Sequence, residues 1–245
     1  MRLFQGKGFM AGFSDKLDGD FFLIDLPEEQ AQTIWKNAYQ EIKNLSETML
    51  TVFGNSPPRF CLQVHGDSIL EVNTGSPVGK QGEGDALITA SDEIPIGVFT
   101  ADCLPILISG GTHVAAIHAG WKGSRLNITG KVIRRFIDEF WVSTDELKIF
   151  MGPSIGQCCL ELGEEVPPTF FEASPDSPAC FSHGKKWHLD LRALNVLQSR
   201  REGILPEQIT HVQDCTKCQT ERYFSYRGQK GRRGSMFSFI MKMRD

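Results

Sequence analysis

The run GVFTADCLPILISGGTHVAAIHAGWKGSR, residues 97–125, decides the fold, because apolar segments within it end at chemically active side chains or at glycine turns. Ile96–Thr100 has the length and the β-branched, aromatic content of a buried strand, and it breaks at Ala101-Asp102-Cys103. Leu104–Ser109 is a second such run, stopped by the turn Gly110-Gly111-Thr112. His113–Ile117 is a third and carries His118 to its end, after which Ala119-Gly120-Trp121-Lys122-Gly123 turns the chain into an amphipathic helix. Strand-to-helix turns of this kind commonly hold binding and catalytic groups. Upstream, Phe60–Val64 reads as another strand and ends at His65 before Gly66-Asp67. Three metal-competent side chains, His65, Cys103 and His118, thus end three expected strands.

Outward from this centre the pattern is that of an α/β domain. Apolar residues from Ala31 to Met49 recur at steps of three and four behind Pro27-Glu28-Glu29, which predicts a helix over Pro27–Leu50. Ile128, Val132, Ile133, Phe136, Ile137 and Phe140 form one face of a second expected helix over Ser124–Phe140. Asp85–Thr89, Leu147–Met151, Ile209–Gln213 and Met236–Lys242 read as strands, and Phe4, Phe9, Met10 and Phe13 make the N-terminus one or two more. A short helix is expected at Pro167–Phe171 and a longer one from about Arg192 to Glu202, stopped by Gly203. Asn73–Gly84, rich in Gly, Ser and Pro, is expected to be an exposed loop. No repeat or linker divides the 245 residues, so one domain over 1–245 is expected.

Composition excludes several classes. A net charge of -4 without a run of like charges argues against binding nucleic acid or an acidic membrane surface. No apolar segment approaches the roughly 20 residues of a membrane span or resembles a signal peptide, so a cytoplasmic location is expected. Seven cysteines, an odd number that includes the adjacent pair Cys158-Cys159, do not make a disulfide framework and are expected as reduced thiols.

Two imidazoles and a thiolate suit Zn²⁺, and three protein ligands leave a fourth position open, as in catalytic zinc sites. Two other readings of His65, Cys103 and His118 stand beside this one: a buried thiol with two hydrogen-bonded histidines, and a Cys103 nucleophile with His118 as its base. Cys215-Thr216-Lys217-Cys218 is a single C-x-x-C without a second pair at zinc-ribbon spacing, so two unconnected thiols are expected and Cys218 should be replaceable without effect. The H-x-E and P-C-x-x-C signature of zinc deaminases is absent. Six histidines, none in an H-x-H pair, fall short of a blue-copper centre plus a three-copper cluster. The small residues of Gly152–Gln157 would let backbone amides face an anion, with an ordinary tight turn as the alternative. Arg227, flanked by aromatic residues, is a further anion-binding candidate, whereas Arg232 and Arg233 read as solvated charge.

Taken jointly, the motifs Gln63-Val64-His65, Asp85-Ala86-Leu87-Ile88-Thr89, Thr100-Ala101-Asp102-Cys103-Leu104-Pro105, His118-Ala119-Gly120-Trp121-Lys122-Gly123, Gly152-Pro153-Ser154-Ile155-Gly156, Cys215-Thr216 and Phe224-Ser225-Tyr226-Arg227 resemble, in order and spacing, the laccase-domain (YfiH-like) family from about residue 60 to the C-terminus. The resemblance implies a single-domain α/β/β/α sandwich with mixed sheets and a Zn²⁺, or Cu²⁺, held by His65, Cys103 and His118. It implies purine nucleoside phosphorylase activity on adenosine, inosine and methylthioadenosine, with phosphate as co-substrate. Adenosine deamination, copper-dependent polyphenol oxidation and hydrolysis of a peptidoglycan precursor through Cys103 are activities it also implies as alternatives. On this reading the expected catalytic set is Asp102, assisting protonation of the leaving base or else simply capping its turn, with Cys215 and Arg227, and the expected substrate contacts are Gln63, Ser154 and Lys16, in a monomer or homodimer. Two departures are visible. Phe13–Gly19 lacks the arginine that members usually carry near the N-terminus, leaving Lys16 as the nearby cation, and Lys122 stands where members have arginine.

Overall fold

The computed structural model describes residues 1–18, 53, 56–230 and 234–244; the expected helix over Pro27–Leu50 and the residues Arg232 and Arg233 lie outside them. Two mixed six-stranded sheets carry the fold. The first orders β1 (Arg2–Gly6), β2 (Phe9–Phe13), β15 (Met236–Lys242), β7 (Ile96–Thr100), β3 (Arg59–Leu62) and β5 (Gly79–Glu83). The second orders β14 (Ile209–His211), β10 (Leu147–Met151), β8 (Leu104–Gly110), β9 (His113–Ala119), β6 (Ala86–Thr89) and β4 (Ile69–Val72). A small third sheet joins β11 (Glu161–Leu162), β13 (Trp187–Leu189) and β12 (Phe181–His183).

The absence of polar alternation in β7 and β8 has a direct cause: every residue of both strands is buried, because both faces of each sheet centre are covered. Between the sheets lie Phe9, Phe13, Ile96, Val98 and Ile240 from one and Leu87, Leu107, Val114, Ala116 and Phe150 from the other. The far face of the second sheet packs Ile106, Ile108 and Ile117 against Ile128, Val132, Phe136 and Leu194. Those last four come from α2 (Ile128–Arg134), the π-helical turn Arg135–Glu139 and α4 (Leu191–Arg201), the latter capped by Asp190, whose carboxylate accepts the Ala193 amide at 2.8 Å. Each such side chain contributes on the order of 1.5–3 kcal/mol on burial. On the outer face of the first sheet Phe53 packs edge-on against Phe239 at 4.7 Å between ring centroids.

Several expectations change. The helix expected over Ser124–Phe140 is broken into α1 (Trp121–Arg125), α2 and the π-helical turn, because Asn127 adopts the left-handed conformation, φ 61°. The expected loop over Asn73–Gly84 contains the edge strand β5, whose GKQGE sequence has no apolar alternation and which pairs in parallel with β3 from Arg59↔Gly79 onward. Such a strand is specified by a neighbour's backbone rather than by its own side chains. The helix expected at Pro167–Phe171 extends to α3 (Val166–Ala173). Among the described residues no helix is long and apolar enough to cross a membrane.

Candidate metal centre

The hairpin of β8 and β9 builds the site. Its two-residue turn, Gly111-Thr112, uses the left-handed conformation at Gly111, φ 54°, and pairs Gly110 with His113. The last two of the hairpin's seven pairs set Pro105 opposite His118 and Leu104 opposite Ala119. Register alone therefore brings Cys103 and His118, fifteen residues apart, to one end of the second sheet. His65 arrives from the first sheet, three residues beyond β3. His65, Cys103 and His118 form one group whose ligand atoms all lie within 4.8 Å of one another, with His118 buried, Cys103 half-buried and His65 exposed. The two imidazoles meet edge to face at 4.8 Å between centroids.

Asp85 locks this arrangement. It opens β6, is completely buried, and its Oδ1 accepts from His118 Nδ1 at 2.7 Å and from the His65 amide at 3.0 Å. Its Oδ2 accepts the Gly66 amide at 2.6 Å and the Val64 amide at 3.3 Å. One carboxylate thus holds the 64–66 turn, in which His65 sits at φ 60°, and fixes the tautomer of His118 so that Nε2 is the ring's remaining donor atom. Burial opposes the charged carboxylate, yet His118 and the amides outweigh it and hold Asp85 below the ordinary carboxylate range. Burial likewise opposes the Cys103 thiolate, but His118 and His65 pull it down to about 6. His118, opposed by burial and favoured by Cys103 and Asp85, rises to about 9.

The donor set fits a zinc ion. Two imidazoles and a thiolate converge, the carboxylate–histidine pair supplies the usual outer-shell support, and the space between the ligands is kept open by Gly120. A Cβ there would come within 3.1 Å of Cys103 Sγ and 3.2 Å of the His65 ring.

The other expected site residues fall around Asp102. This residue is buried at φ 104°, a strained conformation for a non-glycine, and both carboxylate oxygens are engaged: Oδ1 accepts the Thr216 hydroxyl and Oδ2 the Arg227 amide, each at 2.7 Å. Arg227 is exposed, and its guanidinium donates to the Glu161 carbonyl at 3.2 Å. Ser154 is buried, accepts from the Arg192 guanidinium at 3.3 Å and bridges in parallel to Cys215. Lys16 Nζ donates to the Thr220 carbonyl and lies over the Phe224 ring, which puts it against the segment leading to Arg227. Gln63 spends its amide on the backbone of Phe99, donating to its carbonyl and accepting its N–H, both at 2.8 Å. The amide thereby ties the segment after β3 to β7, using one of its two N–H groups and one of its two oxygen lone pairs.

Cys215 lies beside Ser154, next to a second cluster of thiols. Its sulfur belongs to a second metal-competent group, Cys158, Cys159, Cys215 and Cys218, whose sulfurs also lie within 4.8 Å of one another. The expectation of two unconnected thiols in the C-x-x-C is therefore wrong: the partner pair is the adjacent Cys158-Cys159, some 56 residues upstream. Asp85 is a functional residue that the sequence marks only by a carboxylate at the head of the apolar run Ala86–Thr89.

A mixed two-sheet α/β fold with a His₂Cys centre at a hairpin mouth defines the class. Residues 35–243 match the family model described as multi-copper polyphenol oxidoreductase laccase, and the chain belongs to that family. The purine nucleoside phosphorylase YfiH of Escherichia coli K12 is 32% identical over 243 residues, covering 96% of this chain and 95% of that protein. An adenosine deaminase from an unknown prokaryotic organism is 34% identical over 170 residues, covering 64% of this chain and 62% of that protein. The crystal structure of the hypothetical protein YfiH of Bacillus licheniformis superimposes with a TM-score of 0.81 at 23% identity, covering 96% of this chain and 93% of that one.

Proposed function

We propose that this chain is a zinc-dependent purine nucleoside phosphorylase acting on adenosine, inosine and methylthioadenosine, with adenosine deamination as a second activity of the same site. The observation that carries this reading is the convergence of His65, Cys103 and His118 behind the buried Asp85, in a chain similar along 96% of its length to a purine nucleoside phosphorylase. Zinc held by these three residues would supply Lewis acidity at an open fourth position. Arg227, assisted by Lys16 and by the amides near Ser154, binds phosphate beside the ribose, where positive charge develops as the glycosidic bond breaks. Asp102 positions Arg227 and the Cys103 turn through its two hydrogen bonds, a role that suits its engaged oxygens better than proton donation. In deamination water takes the place of phosphate as the nucleophile.

The donor set favours zinc over copper. Of the six histidines only His65 and His118 join a metal-competent group among the described residues, which is too few imidazoles for the several copper centres of laccase chemistry. We further take the chain as one cytoplasmic domain, monomeric or dimeric, with the four-layer α/β/β/α arrangement; Phe53, packed on the face of the first sheet opposite the second, supports that layering. A second reading, a Cys103–His118 hydrolase oriented by Asp85, is favoured by the opposite shifts of the thiol and the imidazole, which leave a thiolate–imidazolium pair at neutral pH in metal-free protein.

Chromatography of nucleosides incubated with metal-loaded protein tests the assignment. Adenosine should yield adenine only when phosphate is present, and any inosine should form without it. Untouched adenosine, inosine and methylthioadenosine in phosphate would end the phosphorylase reading. Amide cleavage that survives chelation and stops on alkylation of Cys103 would establish the hydrolase instead.

A further inference from the structure

The four-thiol group lies outside the chemistry above and has its own geometry. Cys158 Sγ is 3.6 Å from Cys159, 3.8 Å from Cys215 and 3.7 Å from Cys218, and Cys159 is 3.5 Å from Cys218. A tetrahedral zinc with Zn–S bonds of about 2.3 Å places its four sulfurs about 3.8 Å apart along every edge. A disulfide needs about 2.05 Å between one pair and leaves the others free, whereas here Cys158 has three sulfur neighbours and no exclusive partner. Hydrophobic burial does not account for the cluster, because Cys158 and Cys218 are exposed. A polynuclear iron–sulfur cluster would spread the cysteines over different irons rather than gather all four around one point.

The backbone supports the same conclusion. The Gly156 amide donates to Cys215 Sγ at 3.2 Å, a bond that favours a thiolate there. Gly156 approaches closely: a Cβ there would lie 3.3 Å from Cys158 Sγ and 3.3 Å from Cys215 Cβ. Four thiolates around a dication leave a net double negative charge; Lys217 stands within the turn, and Arg192 donates to Ser154, the residue paired with Cys215, so two cations lie near the site.

We propose that Cys158, Cys159, Cys215 and Cys218 bind a second, structural Zn²⁺ as a tetrathiolate site, separate from the His₂Cys centre. Its ligands come from two loops, 152–160 and 213–230, that are tied to each other and to Asp102: the Thr216 amide donates to the Ser154 carbonyl at 3.1 Å, the Ile155 amide to the Asp102 carbonyl at 2.8 Å, and the Thr216 hydroxyl to the Asp102 carboxylate. The ion clamps both loops, and with them Ser154 and Arg227, against the turn that carries Cys103. Cys215 is accordingly a ligand, and replacing Cys218 is not silent.

The test is zinc content of protein purified under reducing conditions without added metal, in a His65→Ala/His118→Ala background that removes the first centre. One zinc per chain should remain there, and adding Cys158→Ser/Cys218→Ser should remove it, while Cys218→His, which keeps a nitrogen ligand, should retain it. If the serine variant misfolds, wild-type protein still decides: peptide mapping should find Cys158 and Cys218 protected from alkylation, despite their exposure, until a chelator extracts the ion. Cobalt substituted into the His65→Ala/His118→Ala protein should show the intense tetrahedral and thiolate charge-transfer absorption of a four-sulfur site. No zinc in that background, prompt alkylation of Cys158 and Cys218, or disulfides among the four without bound metal would each overturn the proposal.

Discussion

Replacing Asp85 by asparagine should dismantle the His₂Cys centre without touching a ligand. The carboxylate accepts four N–H groups, two on each oxygen, and an amide of the same shape has a single acceptor oxygen. If Nδ2 takes the place of Oδ2, it faces the Gly66 and Val64 amides, donor against donor. If it takes the place of Oδ1, it faces the His65 amide and forces His118 Nδ1 to accept, which puts the proton on Nε2, the atom needed for the metal. Lost charge-assisted bonds are worth about 1.5–3 kcal/mol and a buried unpaired donor about 1–3 kcal/mol. A net loss of roughly 2–4 kcal/mol follows, a fall in Tm of roughly 5–15 °C for a chain of this size. Zinc affinity should drop about 10–100-fold, as for outer-shell partners generally. Calorimetric melting and chelator competition read the two effects. The pH dependence adds a third: a carboxylate held low contributes stability above its ordinary range and loses it as pH falls through the folded value, so Asp85→Asn should lack that part of the acid limb. Unchanged zinc affinity together with a Tm within about 2 °C of wild type would refute the reasoning.

In metal-free protein between about pH 6 and 9 the Cys103–His118 pair is a thiolate and an imidazolium, so zinc must displace the His118 proton. Titration calorimetry in buffers of different ionisation enthalpy should show one proton released from this pair per zinc at neutral pH, and affinity should climb with pH until His118 is neutral; buffer-independent heats would count against it. Gly120→Ala should weaken zinc binding while leaving far-UV circular dichroism intact, because the new methyl crowds Cys103 Sγ and His65 but the backbone, at φ -73°, accepts alanine. Asp102→Ala and Asp102→Gly both forfeit the bonds to Thr216 and Arg227 and should cut phosphorolysis, but glycine relieves the strained φ and should melt higher, by about 1–3 kcal/mol of stability. Equal melting of the two variants would show that the backbone strain is not real.

Much of the central sheet was legible in the chain itself. Ile96–Thr100, Leu147–Met151 and Met236–Lys242 are strands with the expected ends, since a continuous short apolar run bounded by turn residues has few other places to go. The positions of Cys103 and His118 at the mouth of a hairpin follow from the same local signals, two apolar runs around Gly110-Gly111-Thr112. The tertiary structure alone decided the rest. Strand β5 and the third sheet exist through backbone pairing with distant partners, so no side-chain period announces them. His65 reaches the other sheet's ligands only because a buried Asp85 pins its turn, and Cys158-Cys159 meets Cys215 and Cys218 only because Ser154 and Cys215 lie side by side. Local periodicity reports which face of a segment is buried. It carries no information on which of two distant segments share that burial, and both metal-competent groups are made of such contacts.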